Sequence, residues 1–141
     1  MKKKIGLCLT LILMLVVSGC GKTKLTCTKT ENWIHTLDFN QEVVFKKEKI
    51  DSVTQTVKIT SEEQLDNEYE TYKKKEKEYA SKEGITFEVS KIEEGLFVSL
   101  EIDTEKAAKT DLEEFGFPKD VLNLTVEQVK KKMEDEGYTC K

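Results

Sequence analysis

Residues 35–60 read HTLDFNQEVVFKKEKIDSVTQTVKIT, and this stretch decides the predicted fold. Apolar and polar side chains alternate on both sides of a charged centre, and a period of two is typical of half-buried β-strands. The charged residues 46–49 predict the tip of a hairpin between the two strands. The core side of the first strand is predicted to carry His35, Leu37, Phe39, Gln41, Val43 and Phe45, and that of the second Val53, Gln55, Val57 and Ile59.

Three further strands are predicted around this hairpin. Residues 25–30 form a short, threonine-rich segment before it. Residues 85–89 and 96–102 alternate in the same way, and the sequence Glu-Glu-Gly at 93–95 supplies a turn between them. The sequence therefore predicts about five strands, joined mostly as antiparallel hairpins.

A long helix is predicted between the two hairpins. Ser61 with Gln64 three residues later matches a capping box, and Gly84 marks the end of the segment. Apolar positions recur at helical spacing between them. This stripe consists of Leu65, Tyr69, Tyr72, Tyr79 and Ala80.

Two shorter helices are predicted near the C-terminus. Thr104 is expected to cap the first, which runs through Leu112, and Thr125 with Gln128 matches a second capping box. Gly137 ends the last helix. The predicted order is three strands, a helix, two strands and two helices. This order favours an α+β fold with an antiparallel sheet and helices packed on one face.

The first 20 residues predict a lipoprotein signal. Three lysines at 2–4 precede the apolar run 5–17, which is too short to span a bilayer and typical of a secretory signal. The run ends in Val17, Ser18, Gly19 and Cys20, which closely resemble a lipobox. Such a motif needs a thiol that receives diacylglycerol and small residues that fit the signal peptidase. The alternative is an ordinary signal peptide, with Cys20 left as a free or paired thiol.

Lipidation would divide the chain into three parts. Residues 1–19 form the cleaved signal, 20–24 the lipidated cysteine with a short tether, and 25–141 a single domain. We expect the lipid bilayer to be a partner through acylated Cys20, on the extracytoplasmic face of a Gram-positive-type cell membrane. Lys22 and Lys24 of the tether would then lie among the headgroups.

Composition argues against nucleic-acid binding. The 23 basic residues are all lysine, and removal of the first 19 residues takes away three of them and no acid. The remaining 20 lysines oppose 27 acids, a net charge of −7. An acidic domain without arginine is a poor match for a phosphate backbone.

Four cysteines reduce to one candidate pair. Cys8 leaves with the signal and Cys20 is lipidated, so Cys27 and Cys140 remain. Outside the membrane such a pair favours a disulfide, which would close a loop of 113 residues and contribute about 4 to 5 kcal/mol. Two free thiols or a redox-active pair are the alternatives, although no Cys-x-x-Cys spacing supports redox chemistry.

The sequence offers no catalytic constellation. His35 is the only histidine, and its parity with Leu37 favours a core-edge position with a hydrogen-bond partner. No Gly-x-Ser-x-Gly motif and no glycine-rich phosphate loop occurs. We therefore predict no catalytic residue, no metal and no cofactor. A hydrolase that uses two carboxylates remains a less favoured alternative, because the chain is rich in acids.

Two surface features have structural and functional interpretations. Tyr69 and Tyr72 fit a packing stripe, but with Trp33 they would also suit a ligand groove between the helices and the sheet. The charged run 73–78 fits a solvated helix face, and contact with anionic lipid or wall polymer is its alternative.

The order of these elements resembles the YehR-like small bacterial lipoproteins. The likeness rests on Tyr79, on Glu83-Gly84-Ile85 and on the C-terminal residues 136–141, and it spans nearly the whole chain. The pair of Cys27 and Cys140 is similar to the Gram-positive branch. The resemblance implies a small α+β domain without an established activity, and it assigns no catalytic residue.

These observations together predict a non-enzymatic binding or interaction module that is anchored to the membrane and meets an envelope protein or ligand. A small-ligand carrier with a groove between helices and sheet is the alternative.

Overall fold

The computed structural model describes residues 21–141 and shows a mixed α+β fold, as predicted. Within this range an open, six-stranded antiparallel sheet is accompanied by four helices, so the prediction of about five strands and three helices was one short in each case. In chain order the elements are β1 (Lys22–Asn32), β2 (Thr36–Lys46), β3 (Lys49–Thr60), α1 (Asp66–Tyr79), β4 (Ile85–Ile92), β5 (Gly95–Asp103), α2 (Lys109–Glu114), α3 (Lys119–Leu122), α4 (Val126–Asp135) and β6 (Thr139–Cys140).

The spatial order of the strands is β4-β5-β3-β2-β1-β6, and all neighbours are antiparallel. After β3 the chain passes through α1 to the edge strand β4 and returns inward as β5. One row of directly opposed side chains crosses five of the six strands and is buried throughout, which explains the period of two around this row. This row is Leu25, Val43, Val53, Ile102 and Ile85.

The core lies on one face of the sheet. Val53 belongs to a cluster with residues of α2 and α4, and Ile59 belongs to a second cluster with residues of α1. These two residues are six positions apart on β3, an even spacing, so their side chains leave the strand on the same face. Burial of each such side chain contributes roughly 1.5–3 kcal/mol, which makes this face the main source of stability.

The β2–β3 hairpin turns at the predicted charged tip. Lys47 and Glu48 have positive φ values of 51° and 62°, the left-handed pair that closes a two-residue hairpin without splaying its strands. Two residues later the register slips, because Asp51 of β3 is an extra residue opposite β2. The hydroxyl of Thr104 donates to the carbonyl oxygens of Ile50 and Asp51 at 2.8 and 2.7 Å. It thus supplies a hydrogen-bond donor to the carbonyl groups at this bulge.

The predicted role of Thr104 as a helix cap was therefore wrong. Helix α2 begins at Lys109 after Ala108, which has no side-chain capping bond. The hydroxyl of Thr104 is engaged by the bulge, so it is not free to cap a helix. The second predicted box is confirmed, since the Thr125 hydroxyl accepts from Gln128 N and the Gln128 side chain accepts from Thr125 N.

The predicted capping box of Ser61 and Gln64 was also wrong. Helix α1 begins at Asp66, and the Ser61 hydroxyl instead accepts from the backbone N–H of Glu63 at 3.0 Å. The side chain of Leu65 is 7% exposed in the second cluster, and this burial fixes where the helix starts. Ala80 is exposed and does not extend the apolar stripe.

Strand β1 begins at Lys22, three residues before the predicted start. Lys22 to Lys24 lack apolar alternation, yet they pair with Lys46 to Val44 of β2. Lys24 also forms an ion pair with Glu42 at 2.9 Å. The two lysines assigned to the tether are therefore part of the sheet, and only Gly21 separates Cys20 from β1.

Cys27 and Cys140 are brought together as predicted. They face each other in the register of β1 and β6, and their sulfur atoms lie at the bonding distance of 2.03 Å. Cys27 is fully buried, and the flanking backbone pair of Thr26 and Lys141 exchanges two hydrogen bonds. This covalent link holds the short edge strand β6 against β1.

Candidate functional site

Because every strand of the sheet is antiparallel to its neighbours, the connecting loops collect at its two ends. One end holds residues 33–35 between β1 and β2, residues 61–65 after β3 and the turn 93–94 between β4 and β5; we call it the distal end. The opposite end holds Lys22 and the β2–β3 hairpin tip. The 11 residues of β1 separate the two ends by about 33 Å, at ~3.3 Å per residue.

An exposed apolar pair projects from the distal end. Trp33 is 82% and Ile34 is 87% exposed, the two highest values among large hydrophobic side chains in residues 21–141. The loop that carries them is ordered by two hydrogen bonds, from Trp33 N to the carbonyl of His35 and from the Thr36 hydroxyl to Asn32 Oδ1, each 3.1 Å long. Adjacent and highly exposed apolar side chains on a hydrogen-bonded loop are typical of a protein contact surface.

Three glutamates, Glu62, Glu63 and Glu94, line the same groove as this pair. The backbone N–H of Ser61 donates to the carbonyl of Glu94 at 2.9 Å, which joins the segment after β3 to the β4–β5 turn. Glu94 meets Lys58 at 3.7 Å, but both side chains are largely exposed, so this pair contributes little. Glu62 and Glu63 lie in no ion pair among the described residues.

Two adjoining shallow grooves run through these loops. One, of about 540 Å³, lies beneath Trp33, and the other, of about 350 Å³, lies between α1 and the β4–β5 turn. Both are lined by Ser61, Glu62, Glu63 and Glu94. Together they are lined by five acids and one lysine, a net charge of −4; these residues are Glu62, Glu63, Asp66, Glu93, Glu94 and Lys91.

Lys91, the one lysine that lines the two grooves, is already paired with an acid. Its ammonium group donates to Asp66 Oδ1 at 2.7 Å, and this hydrogen bond raises the pKa of Lys91 above its ordinary value. The same ammonium lies 4.8 Å from the centre of the Tyr69 ring. The single lysine of the grooves therefore binds to α1. The other four carboxylates of the grooves are exposed to solvent.

The structure does not bring the predicted groove residues together. Tyr69 and Tyr72 are half-buried against the second core cluster, and the Tyr72 ring lies 6.3 Å from that of Phe87. Trp33 stands in the distal loop, exposed to solvent. The two tyrosines therefore act as the packing stripe that their helical spacing predicted, and Trp33 belongs to a different surface.

His35 lies in the distal loop immediately before β2 and is half-buried. It lines the groove beneath Trp33, and its carbonyl closes the loop. No group of three or more histidine, cysteine or acidic side chains within residues 21–141 is arranged to hold a metal ion.

Part of the charged run 73–78 is structural. Glu76 accepts from Lys73 at 2.8 Å and from the backbone N–H of Val89 at 2.9 Å. The bond from Lys73, followed by that from Val89, lowers the pKa of Glu76. Because β4 is an edge strand, the bond to Val89 fastens α1 to an otherwise open edge.

The lipobox residues Val17 to Cys20 lie outside the described part of the chain. No helix in residues 21–141 combines the length and the apolar character needed to cross a bilayer. Comparison of the chain with protein-family models, curated proteins and solved structures found no match. The resemblance to YehR-like lipoproteins therefore stays a prediction.

Sequence reasoning missed most of this site. Ile34 and the acids 62–63 were assigned no role, and the acids 93–94 were assigned only to a turn. One signal was present: Trp33 and Ile34 are consecutive apolar residues, so one of them must break the alternation that continues into β2. The acids come from separate segments, and only the fold places them beside Trp33.

Proposed function

We propose that the protein is a non-enzymatic interaction module, lipidated on Cys20 at the outer face of the cell membrane, whose distal end binds a positively charged protein of the envelope. The observation that carries this proposal is the exposure of Trp33 and Ile34 beside grooves with a net charge of −4. Tryptophan is among the residues that contribute most to protein interfaces when an acidic or polar rim surrounds it.

The position of the anchor supports the proposal. Only Gly21 separates Cys20 from β1, and β1 then leads about 33 Å along the sheet to the Trp33 loop, at ~3.3 Å per residue. A domain that stands on this anchor presents the distal end to the envelope space. The field of the grooves would attract a cationic surface and repel anionic lipid and wall polymer.

A site-specific photocrosslinker tests this proposal in the full-length protein in its own membrane. We expect a crosslinker in place of Ile34 to give one discrete protein adduct. The same group in place of Glu127, exposed on α4, is the matched control and should give none. Combined Glu62→Lys and Glu63→Lys substitutions should abolish the adduct at position 34, because they reverse the charge of the groove. Equal adducts at both positions, or an adduct insensitive to the charge reversal, would refute the proposal.

One observation favours the carrier as a second candidate. A cavity of about 200 Å³ lies between the sheet and α2–α4, where the facing side chains of Gln41 and Gln55 meet Phe117 and Met133. This volume is below the ~300–1,000 Å³ typical of ligand sites, so only a small molecule would fit. A thermal-shift screen that finds a ligand sensitive to Gln55→Leu, with an unchanged Ile34 crosslink, would favour the carrier.

A further inference from the structure

A basic groove lies at the end of the sheet opposite Trp33. It measures about 460 Å³ and is bounded by the β2–β3 hairpin, the segment after β5 and α3. Four exposed lysines line it, and none forms an ion pair within residues 21–141. The first 20 residues contain no acid that could pair with them. These lysines are Lys46, Lys47, Lys49 and Lys119.

The fold assembles this cluster from distant segments. The left-handed turn at Lys47 and Glu48 sets three of the lysines around one hairpin tip. Lys119 opens α3 on the other side of the groove. The bonds from Thr104 to the bulge at Ile50 and Asp51 fix the hairpin relative to the segment after β5.

Acids near the groove reduce its charge without cancelling it. Asp51 lines the groove but is paired with Lys22 at 3.4 Å, and Glu105 lies across from the hairpin. Glu48 occupies the turn itself. The lining residues carry a net charge of +2, whereas residues 21–141 carry −7. The basic groove is therefore opposite in sign both to the distal end and to the domain as a whole.

Chain geometry places this groove beside the predicted anchor. Lys22 faces Lys46 across β1 and β2, and Cys20 lies only two residues before Lys22. Two residues reach at most about 7 Å. A lipid on Cys20 would therefore bring the hairpin tip within reach of the headgroups, while Lys22 and Lys24 are already paired with acids of the sheet.

We infer that this groove docks the domain on the phosphate headgroups of the anionic bilayer to which Cys20 is attached. The inference rests on the lipidation in the proposed function and adds an orientation to it. Docking through the basic groove would make β1 point away from the bilayer. The Trp33 loop would then lie at the end of β1 that is farthest from the membrane. Each lysine that reaches an anionic surface favours the docked state by about five-fold.

The test uses the full-length lipoprotein reconstituted in vesicles of phosphatidylcholine alone or of equal parts phosphatidylcholine and phosphatidylglycerol. The rate of amine acylation is read for each lysine by mass spectrometry. Lys74, Lys75 and Lys77 of α1 are the matched controls, because they are exposed and lie in no ion pair among the described residues. We expect the groove lysines to react about five-fold more slowly on phosphatidylglycerol vesicles, and the α1 lysines to react at unchanged rates.

Two variants sharpen this test. Combined Lys49→Glu and Lys119→Glu should remove the protection of Lys46 and Lys47, whereas Lys74→Glu with Lys75→Glu should leave it intact. High salt should also remove the protection. Equal reactivity of the groove lysines on both kinds of vesicle would overturn the inference, as would equal protection of the α1 lysines.

Inorganic phosphate at matched concentration separates a membrane surface from a free anion. Protection by phosphate alone would overturn membrane docking in favour of a soluble anion site. The mass of the Cys20 peptide in the same digest reports acylation directly. Loss of the anchor, which defeats the proposed function, is therefore distinguishable from an acylated protein whose groove stays unprotected.

Discussion

Removal of the link between Cys27 and Cys140 should destabilise the domain strongly. The bond closes a loop of 113 residues, for which the chain-entropy relation gives about 5 kcal/mol. One kcal/mol corresponds to about 4 °C in a domain of this size, so the melting temperature should fall by about 20 °C. Strand β6 has only two residues and would lose its covalent hold on β1.

The assay is thermal unfolding, followed by circular dichroism, of the full-length protein in micelles with and without a thiol reductant. The thioether expected on Cys20 does not respond to a reductant. Cys140→Ala is the preferred variant because Cys140 is half-buried, whereas removal of the fully buried Cys27 would also leave a cavity.

Cys140→Ala should match the reduced wild type and show no further loss on reduction. A fall of less than about 5 °C, corresponding to roughly 1 kcal/mol, would show that the link does not restrict the unfolded chain in this way.

Three further substitutions have defined outcomes. Glu76→Gln should destabilise the domain at neutral pH. The hydrogen bond from Lys73 lowers the pKa of Glu76 in the folded protein. The contribution of Glu76 to stability is therefore present above the ordinary pKa of 4.5 and is lost as the pH falls through the folded pKa. Melting curves of variant and wild type should therefore converge in acid, and a gap that widens there would contradict this assignment. Gly95→Ala should cost more than about 2 kcal/mol in urea unfolding, because a Cβ would lie 1.9 Å from the carbonyl oxygen of Ile59 at a φ of +154°. Thr125→Ala should cost about 1 kcal/mol through loss of the α4 cap, and Thr125→Ser, which keeps the hydroxyl, should recover most of it.

Much of the fold could be predicted because its determinants are local. The alternation in residues 35–60 and 96–102 predicts strands with one buried face. The strand register confirms this, because the buried side chains opposite Val53 lie on the same face. The Thr125 box is confirmed for the same reason, since its two partners lie within one helical turn.

The elements that were missed depend on distant contacts. Lys22 to Lys24 carry no apolar pattern and become a strand only through pairing with β2. Strand β6 exists through its pairing with Cys27. Ser61 and Gln64 have the spacing of a capping box, yet α1 begins only at Asp66, because burial of Leu65 decides where the helix starts.

The candidate site was harder to predict because it is a property of the ends of the sheet. Trp33 was identified, but it was grouped with Tyr69 and Tyr72 in a possible ligand groove, and these two tyrosines pack against the core instead. The lysines at 46–49 and 119 are far apart in sequence, as are the acids at 62–63 and 93–94. No local pattern shows that the first set shares one end of the sheet and the second set the other.

In the proposed orientation the Trp33 end stands away from the membrane and is free to meet a partner, a claim that tryptophan fluorescence can test. Trp33 is the only tryptophan in the chain, so its fluorescence reports on that end alone. The full-length protein, acylated on Cys20 as proposed, would be placed in phosphatidylglycerol-containing vesicles whose acyl chains carry bromine, with Lys47→Trp in a Trp33→Phe background as the comparison. Red-shifted emission from Trp33 that bromine does not quench, with quenching at position 47, is the predicted result. Blue-shifted, quenched emission from Trp33 would place the exposed pair in the bilayer and contradict the claim.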